Sequence, residues 1–463
     1  MKMTDSIYKI SPVILQNLYI SLYGAYWKNR RYGGCFLQKI EEYKLHEAYS
    51  EKEWENYQEI ELRNLLKYTF KNVPFYQQKY SDEGFKLNDF ENFKLADLKS
   101  LPILEKEDLR KYGKNLLLSK SKDKGKFYSS SGSTGTPIEV YLSKKMHQSW
   151  SALYEVRVRN WANLNFNAPR AMIGGRRVLQ NTKLNPPYFR YNYFEKQAYF
   201  SAYHISKDTT IDYVLELEKV KSEYLVGYAM SIYLLAKNIN NLKINAPKLK
   251  AVLTSSEKLT KHMRETIELA FKCKVFDAYS GIEACGLISE NEFGELLFSP
   301  DSGILEVINK KGESSKLGEV GEVISTGFLN YDQPLIRYRI GDQVILEKNQ
   351  KTKSGVNFPK IKEIYGRNED VIVGNDGREM VRFHGVFINI DGLIMAQVLQ
   401  ISYTQIVIKL VVDSTYNINS EKQIITRIKS QLSGINVTIK YVEALENTKN
   451  GKYKAVISKL KNE

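Results

Sequence analysis

The chain reads as an α/β protein: a large N-terminal α/β domain with a parallel sheet and a β-rich subdomain, then a small C-terminal α+β domain. Three observations lead there. Between Asp208 and Tyr279, segments with helical spacing of apolar residues alternate with short apolar runs of strand length. Past Gly294 the pattern turns β-rich, and beyond about Asp370 a shorter mixture of strands and one helix begins. A length of 463 residues suits two or three domains, at about 150 residues each.

Each element of the alternating stretch has its own signal. Thr209 or Thr210 caps a helix that puts Ile211, Val214 and Leu215 on one face. Tyr224-Leu225-Val226 follows as a short buried strand, and a second helix runs after Ser231 through Leu235. Ala251-Val252-Leu253 is the next strand, and Thr260 caps a helix presenting Met263, Ile267 and Ala270. Lys274-Val275-Phe276 closes the series. Such alternation implies a parallel sheet with crossover helices, whose ligands bind at the carboxyl ends of the strands. Two loops stand at those ends, Thr254-Ser255-Ser256-Glu257 and Asp277-Ala278-Tyr279-Ser280-Gly281-Ile282-Glu283.

Downstream, Gly303-Ile304-Leu305-Glu306-Val307 and Gly321-Glu322-Val323-Ile324 predict an antiparallel layer or barrel on the α/β body. Residues 1–370 are therefore expected to form the large domain and 371–463 the small one. The latter offers strands near Phe387–Ile390, Ile406–Val412, Val437–Tyr441 and Tyr453–Ile457, with a helix near Glu421–Leu432.

Hydrophobic content of 43% with 26% charged residues excludes widespread disorder. Cys35, Cys273 and Cys285 lie far apart without a C-x-x-C pair, so neither a disulfide framework nor the usual zinc spacing is supported. A reducing cytoplasm fits. The net charge of +15 invites a nucleic-acid reading, but the lysines are dispersed among glutamates and no nucleic-acid motif surrounds them. Attraction to anionic substrates, or a solvated lysine surface, reads better, and no nucleic-acid partner is expected.

Near the N-terminus, Gln16, Asn17 and Ser21 interrupt an apolar run. The run is too short and polar for a spanning helix of about 20 residues, so no transmembrane segment is expected. It also lacks the apolar region and cleavage site of a signal peptide. An aromatic helix docked on the body is the main reading, with peripheral membrane contact as the minority one.

The most informative segment is Tyr128-Ser129-Ser130-Ser131-Gly132-Ser133-Thr134-Gly135-Thr136-Pro137. Its hydroxyls and backbone N–H groups suit a polyanion, because glycine lets the backbone come close. A flexible linker is the competing reading. No Lys-Ser or Lys-Thr closes a G-x-x-x-x-G-K pattern, so this is not a Walker loop. Its flanks, Lys126-Phe127-Tyr128 and Ile138-Glu139-Val140-Tyr141-Leu142, place it between two strands.

Other segments suit nucleotide chemistry. Glu283 offers a carboxylate for Mg²⁺ and Tyr279 a ring for a base, the alternative being a surface Glu beside a half-buried Tyr. Arg337-Tyr338-Arg339-Ile340-Gly341-Asp342 ends a strand in a turn where Asp342 could accept ribose hydroxyls, or serve only as a turn residue. Gly366-Arg367-Asn368-Glu369-Asp370 falls at the expected domain boundary, and Asn450-Gly451-Lys452 reads as a tight hairpin turn.

In this order the segments resemble the adenylate-forming superfamily, in its phenylacetate–CoA ligase and CapK-type capsule-biosynthesis branch. Val73-Pro74-Phe75-Tyr76 and Ser255-Ser256-Glu257 add to the resemblance, which covers roughly residues 60–463.

The resemblance implies a cradle for the β- and γ-phosphates of ATP at Ser130, Ser131, Gly132, Ser133, Thr134 and Gly135. It implies an adenine pocket lined by Ser256, Glu257 and Tyr279, Mg²⁺ on Glu283, and ribose on Asp342 with Arg367 nearby. Asp370 becomes the hinge of a mobile C-terminal domain, and Lys452 the cation that contacts the substrate carboxylate and the α-phosphate. A carboxylic acid would be activated as acyl-AMP and passed, by default, to CoA. Transfer to a sugar or amine in cell-surface polysaccharide assembly is the alternative enzyme, and a catalytically silent nucleotide-binding scaffold the alternative class. The oligomeric state stays open, a homodimer being one option.

The chain departs from the family pattern in four places. Thr136 stands where lysine is common, Ser280 replaces a glycine, and Ile282 occupies a position often held by Ser or Thr. Glu290-Asn291 and Phe298 stand where some relatives carry cysteine and histidine, so no zinc is expected. The segment Arg170 to Arg177 suits an anionic or polar acid at least as well as an aryl acid.

Overall fold

A computed structural model describes residues 8, 10–129, 138–175, 178–179, 185–365, 372–377, 379–380, 384–387, 390–432, 434–443, 445 and 456–460. Ahead of the sheets lie α1 (Val13–Tyr32), α2 (Phe36–His46), α3 (Glu51–Asn72), α4 (Pro74–Asp82) and α5 (Lys106–Tyr112). Ser50 starts α3 with a reciprocal cap: its hydroxyl accepts from the Glu53 N–H, and the Glu53 carboxylate accepts from the Ser50 N–H. Pro74 opens α4 where a missing N–H costs nothing. Two residues on, the buried Tyr76 hydroxyl donates to the Pro334 carbonyl and accepts from the Ile336 N–H. Leu62, Leu66, Leu104 and Ile336 close this first core.

An antiparallel hairpin follows, β1 (Gly125–Ser129) and β2 (Glu139–Ser143), so the hydroxyl-rich segment has a strand on each side, as its flanks predict. Next come α6 (Lys144–Tyr154), β3 (Arg170–Gly174), β4 (Phe189–Asn192), β5 (Gln197–Ser201), α7 (Thr210–Lys219) and β6 (Tyr224–Tyr228). The run ends with α8 (Ala229–Asn241), β7 (Ala251–Ser255), α9 (Lys261–Phe271) and β8 (Lys274–Ser280). Strands β5, β3, β6, β7 and β8 pair in parallel, in that spatial order. Thr260 caps α9 by accepting from the Met263 N–H, and Met263, Ile267 and Ala270 are buried as expected. Each large apolar chain sealed under the sheet, such as Ile232 or Leu235 of α8, contributes about 1.5–3 kcal/mol.

Helix α7 differs from its sequence reading. Tyr213, Val214 and Leu217 face inward, whereas Ile211 and Leu215 are exposed. The spacing of 213, 214 and 217 makes the better stripe, and the Tyr213 hydroxyl gains a bond to the Ser201 carbonyl.

The β-rich part comprises β9 (Leu287–Glu290), β10 (Leu296–Phe298), β11 (Gly303–Ile308), β12 (Val320–Gly327), β13 (Tyr338–Leu346) and β14 (Lys360–Tyr365). It is antiparallel and continues the parallel sheet through β9, which pairs with β8, giving one sheet of 12 strands. These strands share a core of Ile288, Phe298, Val307, Val323, Val344 and Ile361.

The C-terminal part holds β15 (Ile372–Val373), β16 (Glu379–Met380), α10 (His384–Phe387), β17 (Leu393–Ser402), β18 (Gln405–Val412), α11 (Ile418–Lys429), β19 (Asn436–Tyr441) and β20 (Val456–Ser458). Its sheet runs β19-β18-β17-β20, with Val398, Ile406, Ile408 and Leu410 packed against Ile424 and Ile428 of α11. Phe387 ends a helix here instead of starting a strand: Val386 and Ile390, four residues apart, both enter the core. The long strand β17 escaped the sequence reading because Leu393-Ile394-Met395-Ala396-Gln397 is rich in helix formers, and cross-strand packing overrides that preference.

Candidate active site

Parallel register brings Tyr228, Ser255 and Ala278 level at the carboxyl ends of β6, β7 and β8. The residues just beyond, Ser256 and Tyr279, stand at the rim where open α/β sheets take ligands. Ser256 has φ of 70°, a left-handed conformation unusual for a residue with a side chain. Its exposed side chain marks the turn out of β7. Glu257 turns back: its carboxylate accepts from the Met230 N–H at 2.9 Å, in the first turn of α8. An anion there meets the positive end of the helix.

Tyr279 lies inside β8 and its hydroxyl donates to Asp342 Oδ2 at 2.7 Å. Burial, and then the Asp342 charge, push the Tyr279 phenol well above its ordinary range, so it remains a donor. Asp342 sits within β13, not in a terminal turn as its sequence suggests. The strand bulges there: Arg339 pairs with Ile324 and Gln343 with Glu322, and Gly341 takes φ of 83°. The bulge turns Asp342 toward Tyr279.

Neighbouring arginines hold that strand in place. Arg337 is bidentate to Glu306 at 2.8 and 3.0 Å and donates to the carbonyls of Lys99 and Leu101. Arg339 pairs with Glu105 and Glu322.

Glu283 follows β8 in a short turn closed by the Ala284 N–H on the Gly281 carbonyl. Its carboxylate lies directly over Gly281, where an added Cβ would stand 2.1 Å from Oε2. Ile282 packs against the first core, so its apolar side chain serves the fold beside the site. Beneath the rim, the Thr254 hydroxyl donates to Asp277 Oδ1 at 2.8 Å, and Glu290 bridges the Asp277 N–H and Arg264. Burial raises the Asp277 carboxyl to about 6, against the opposing Thr254 bond.

Arg170 does not face a ligand. It is buried and donates to Gln197, Glu195 and the Phe166 carbonyl. That removes its part in the expected preference for an anionic acid; Arg176 and Arg177 lie outside the described residues. Ser130, Ser131, Gly132, Ser133, Thr134, Gly135, Arg367, Asp370 and Lys452 also lie outside them, as does Thr136.

Two residues at this edge escaped the sequence reading. Tyr228 ends β6 with its hydroxyl beside Gly175, where an added Cβ would stand 2.7 Å away. Reading β6 through to the start of α8 would have found it. Lys106 opens α5 with Nζ 3.4 Å from the position of a Cβ on Gly341; its distance from Asp342 along the chain left no local signal.

The family model of the CapK C-terminal domain matches residues 372–459. Protein CapK of Staphylococcus aureus is 28% identical over 99% of this chain and 100% of its own length. A phenylacetate–coenzyme A ligase of Pseudomonas putida is 25% identical over 67% of this chain and 70% of its own. Among solved structures, 2-hydroxyisobutyryl-CoA ligase in complex with 2-HIB-AMP and CoA shares the fold with a TM-score of 0.56. The match covers 89% of this chain and 91% of that one at 16% identity. The same ligase in its postadenylation state matches with a TM-score of 0.54, covering 87% and 89%. The chain is thus homologous over its full length to CapK and over two thirds of its length to the phenylacetate–CoA ligases, and it shares its fold with an adenylate-forming CoA ligase.

Proposed function

We propose that the chain uses ATP to activate a carboxylic acid as acyl-AMP and then transfers the acyl group, by default to CoA. The observation that carries this reading is the Tyr279–Asp342 bond at the carboxyl edge of the parallel strands. It sets an aromatic ring and a carboxylate side by side, as a nucleoside needs. Asp342 accepts ribose hydroxyls in this reading, since a carboxylate has about four acceptor positions. Ser256, Glu257 and Tyr279 line the adenine side in the same reading, and the family resemblance assigns Arg367 to the ribose.

The residues present fit Mg²⁺–ATP. Glu283 presents carboxylate oxygens over a glycine that leaves them room, and Mg²⁺ is commonly held by one or two carboxylates together with phosphate oxygens. When bound, the ion would neutralise phosphate charge. Ser130 to Gly135 donate to the β- and γ-phosphates. Lys106 adds a cation near the ribose side, and Lys452 offsets repulsion between the acid and the α-phosphate. Aligning the weak carboxylate nucleophile with phosphorus supplies much of the remaining acceleration. In this reading residues 1–370 and 371–463 are separate domains with Asp370 as hinge. Their separate sheets and cores support the division. Three free thiols suit a cytoplasmic enzyme.

Acid-dependent exchange of pyrophosphate into ATP, across aryl, fatty, amino and sugar acids, tests the first half-reaction. Lys452→Ala should abolish exchange while leaving ATP binding largely intact; undiminished exchange would remove the assigned role. A catalytically silent scaffold would exchange with none of the acids. The CapK-type resemblance of the sequence implies a second reading, in which a sugar or amine of cell-surface polysaccharide assembly accepts the acyl group. Product formation that needs CoA separates the two.

A further inference from the structure

Helix α1 is turned inside out. Gln16, Ser21 and Arg30 are buried, whereas Ile14 is 80% exposed and Leu22 58%. Specific bonds hold this rotation. Arg190 Nε donates to Gln16 Oε1, the Tyr191 N–H to Asn17, and the Tyr193 N–H to Ser21. A Cβ on Gly24 would overlap the Asn192 side chain, so only glycine lets the helix lie this close. The apolar face is therefore directed outward by the packing itself.

That face has two rows, Ile14-Leu18-Leu22 and Tyr19-Tyr23-Tyr26, at spacings that align residues along a helix. From Ile10 to Trp27 the sequence carries no charge. Tyr193 and Phe194, both exposed, extend the patch on one flank, where Lys28 Nζ donates to the Phe194 carbonyl at 3.0 Å. An exposed apolar patch of this continuity marks an interaction surface.

Charge decides the partner. Residues 13–32 contain no Asp or Glu. Three lysines border the patch: Lys28 itself, Lys126 with Nζ 5.9 Å from the Tyr26 ring centre, and Lys144 bonded to Asn29 at 2.8 Å. The whole chain carries +15. Tyrosines beside leucines with lysines at the margin match the interfacial zone of a lipid layer and its anionic headgroups. Among the described residues no helix is long and apolar enough to cross a membrane.

We infer that α1 is a peripheral docking surface for an anionic membrane, lying in the plane of the headgroups with Leu18 and Leu22 inserted. This inference is independent of the adenylation chemistry.

The full chain should float with vesicles of equimolar phosphatidylglycerol and phosphatidylcholine, and far less with phosphatidylcholine alone. Leu18→Glu with Leu22→Glu should lower the vesicle-bound fraction by about tenfold, with melting temperature and far-ultraviolet circular dichroism unchanged. Lys126→Glu with Lys144→Glu lies off the helix and should also weaken binding, as should high salt. Absence of binding to the anionic vesicles, or equal binding by wild type and both double variants, overturns the inference. So does a wild-type dimer in light scattering that the leucine variant converts to monomer, which would make a second copy the occupant.

Discussion

The 2.7 Å hydrogen bond from the Tyr279 hydroxyl to Asp342 Oδ2 joins β8 to β13, two strands with three others between them in the sheet order. Neither residue could reach the other within a flat sheet. The antiparallel strands close round their own core and bring the bulge of β13 to the rim of the parallel part.

Tyr279→Phe keeps the ring and removes the donor. Loss of a hydrogen bond to a charged acceptor should cost about 1–2 kcal/mol in denaturant unfolding. In pyrophosphate exchange, the KM for ATP should rise several-fold while the dependence on acid concentration stays close to wild type. An unaltered KM for ATP would separate this bond from nucleotide binding.

Gly281→Ala tests the placement of Glu283. The new methyl would overlap a carboxylate oxygen at the end of a flexible side chain, so the side chain moves and the fold loses little. Stability should change by less than about 1 kcal/mol. The magnesium concentration giving half-maximal exchange should rise several-fold, and Glu283→Gln should do the same more severely. A Gly281→Ala enzyme with wild-type magnesium dependence would place the cation elsewhere.

Asp277 predicts a pH effect. Its carboxyl is raised from the ordinary 3.8 to about 6 in the folded chain, chiefly by burial. The folded state therefore holds this proton more tightly than the unfolded state. The associated stability is fully present below pH about 4 and is lost as pH rises through about 6. Asp277→Asn cannot ionise, so its melting temperature should gain on wild type between pH 4 and 7. Parallel pH profiles for the two proteins would assign the effect to another group.

Arg157 and Asp301 form a fully buried pair at 2.6 Å, and Asp301 also meets His46 Nδ1 at 2.5 Å. Asp301→Ala leaves the guanidinium sealed in with Glu47 as its one remaining carboxylate partner among the described residues. That should cost about 3–5 kcal/mol in urea unfolding. Replacing both partners, Arg157→Met with Asp301→Leu, should recover part of the loss. A double variant no more stable than the single one would mean that packing, rather than the stranded charge, sets the cost.

How much of the site was legible depended on how local its signals were. Ser256, Glu257 and Tyr279 could be placed at strand ends because alternating helices and strands imply parallel pairing. Asp342 could be named but not placed, since a bulge depends on what its neighbour strand does. Lys106 carried no local signal at all. In α7 and β17, packing and cross-strand pairing overrode residue preference, exposing Ile211 and Leu215 and extending Leu393–Ser402.

By itself the sequence determined the α/β class, the three parallel strands β6, β7 and β8 with the helices between them, the cap at Thr260 and the family resemblance, because periodicity and capping act over a few residues. Only the tertiary structure decided that Tyr279 bonds Asp342, that Glu257 serves the start of α8, and that the apolar face of α1 points outward. Each of these rests on groups far apart in the chain, whose hydrogen bonds form only after the sheet has closed and the helices have docked.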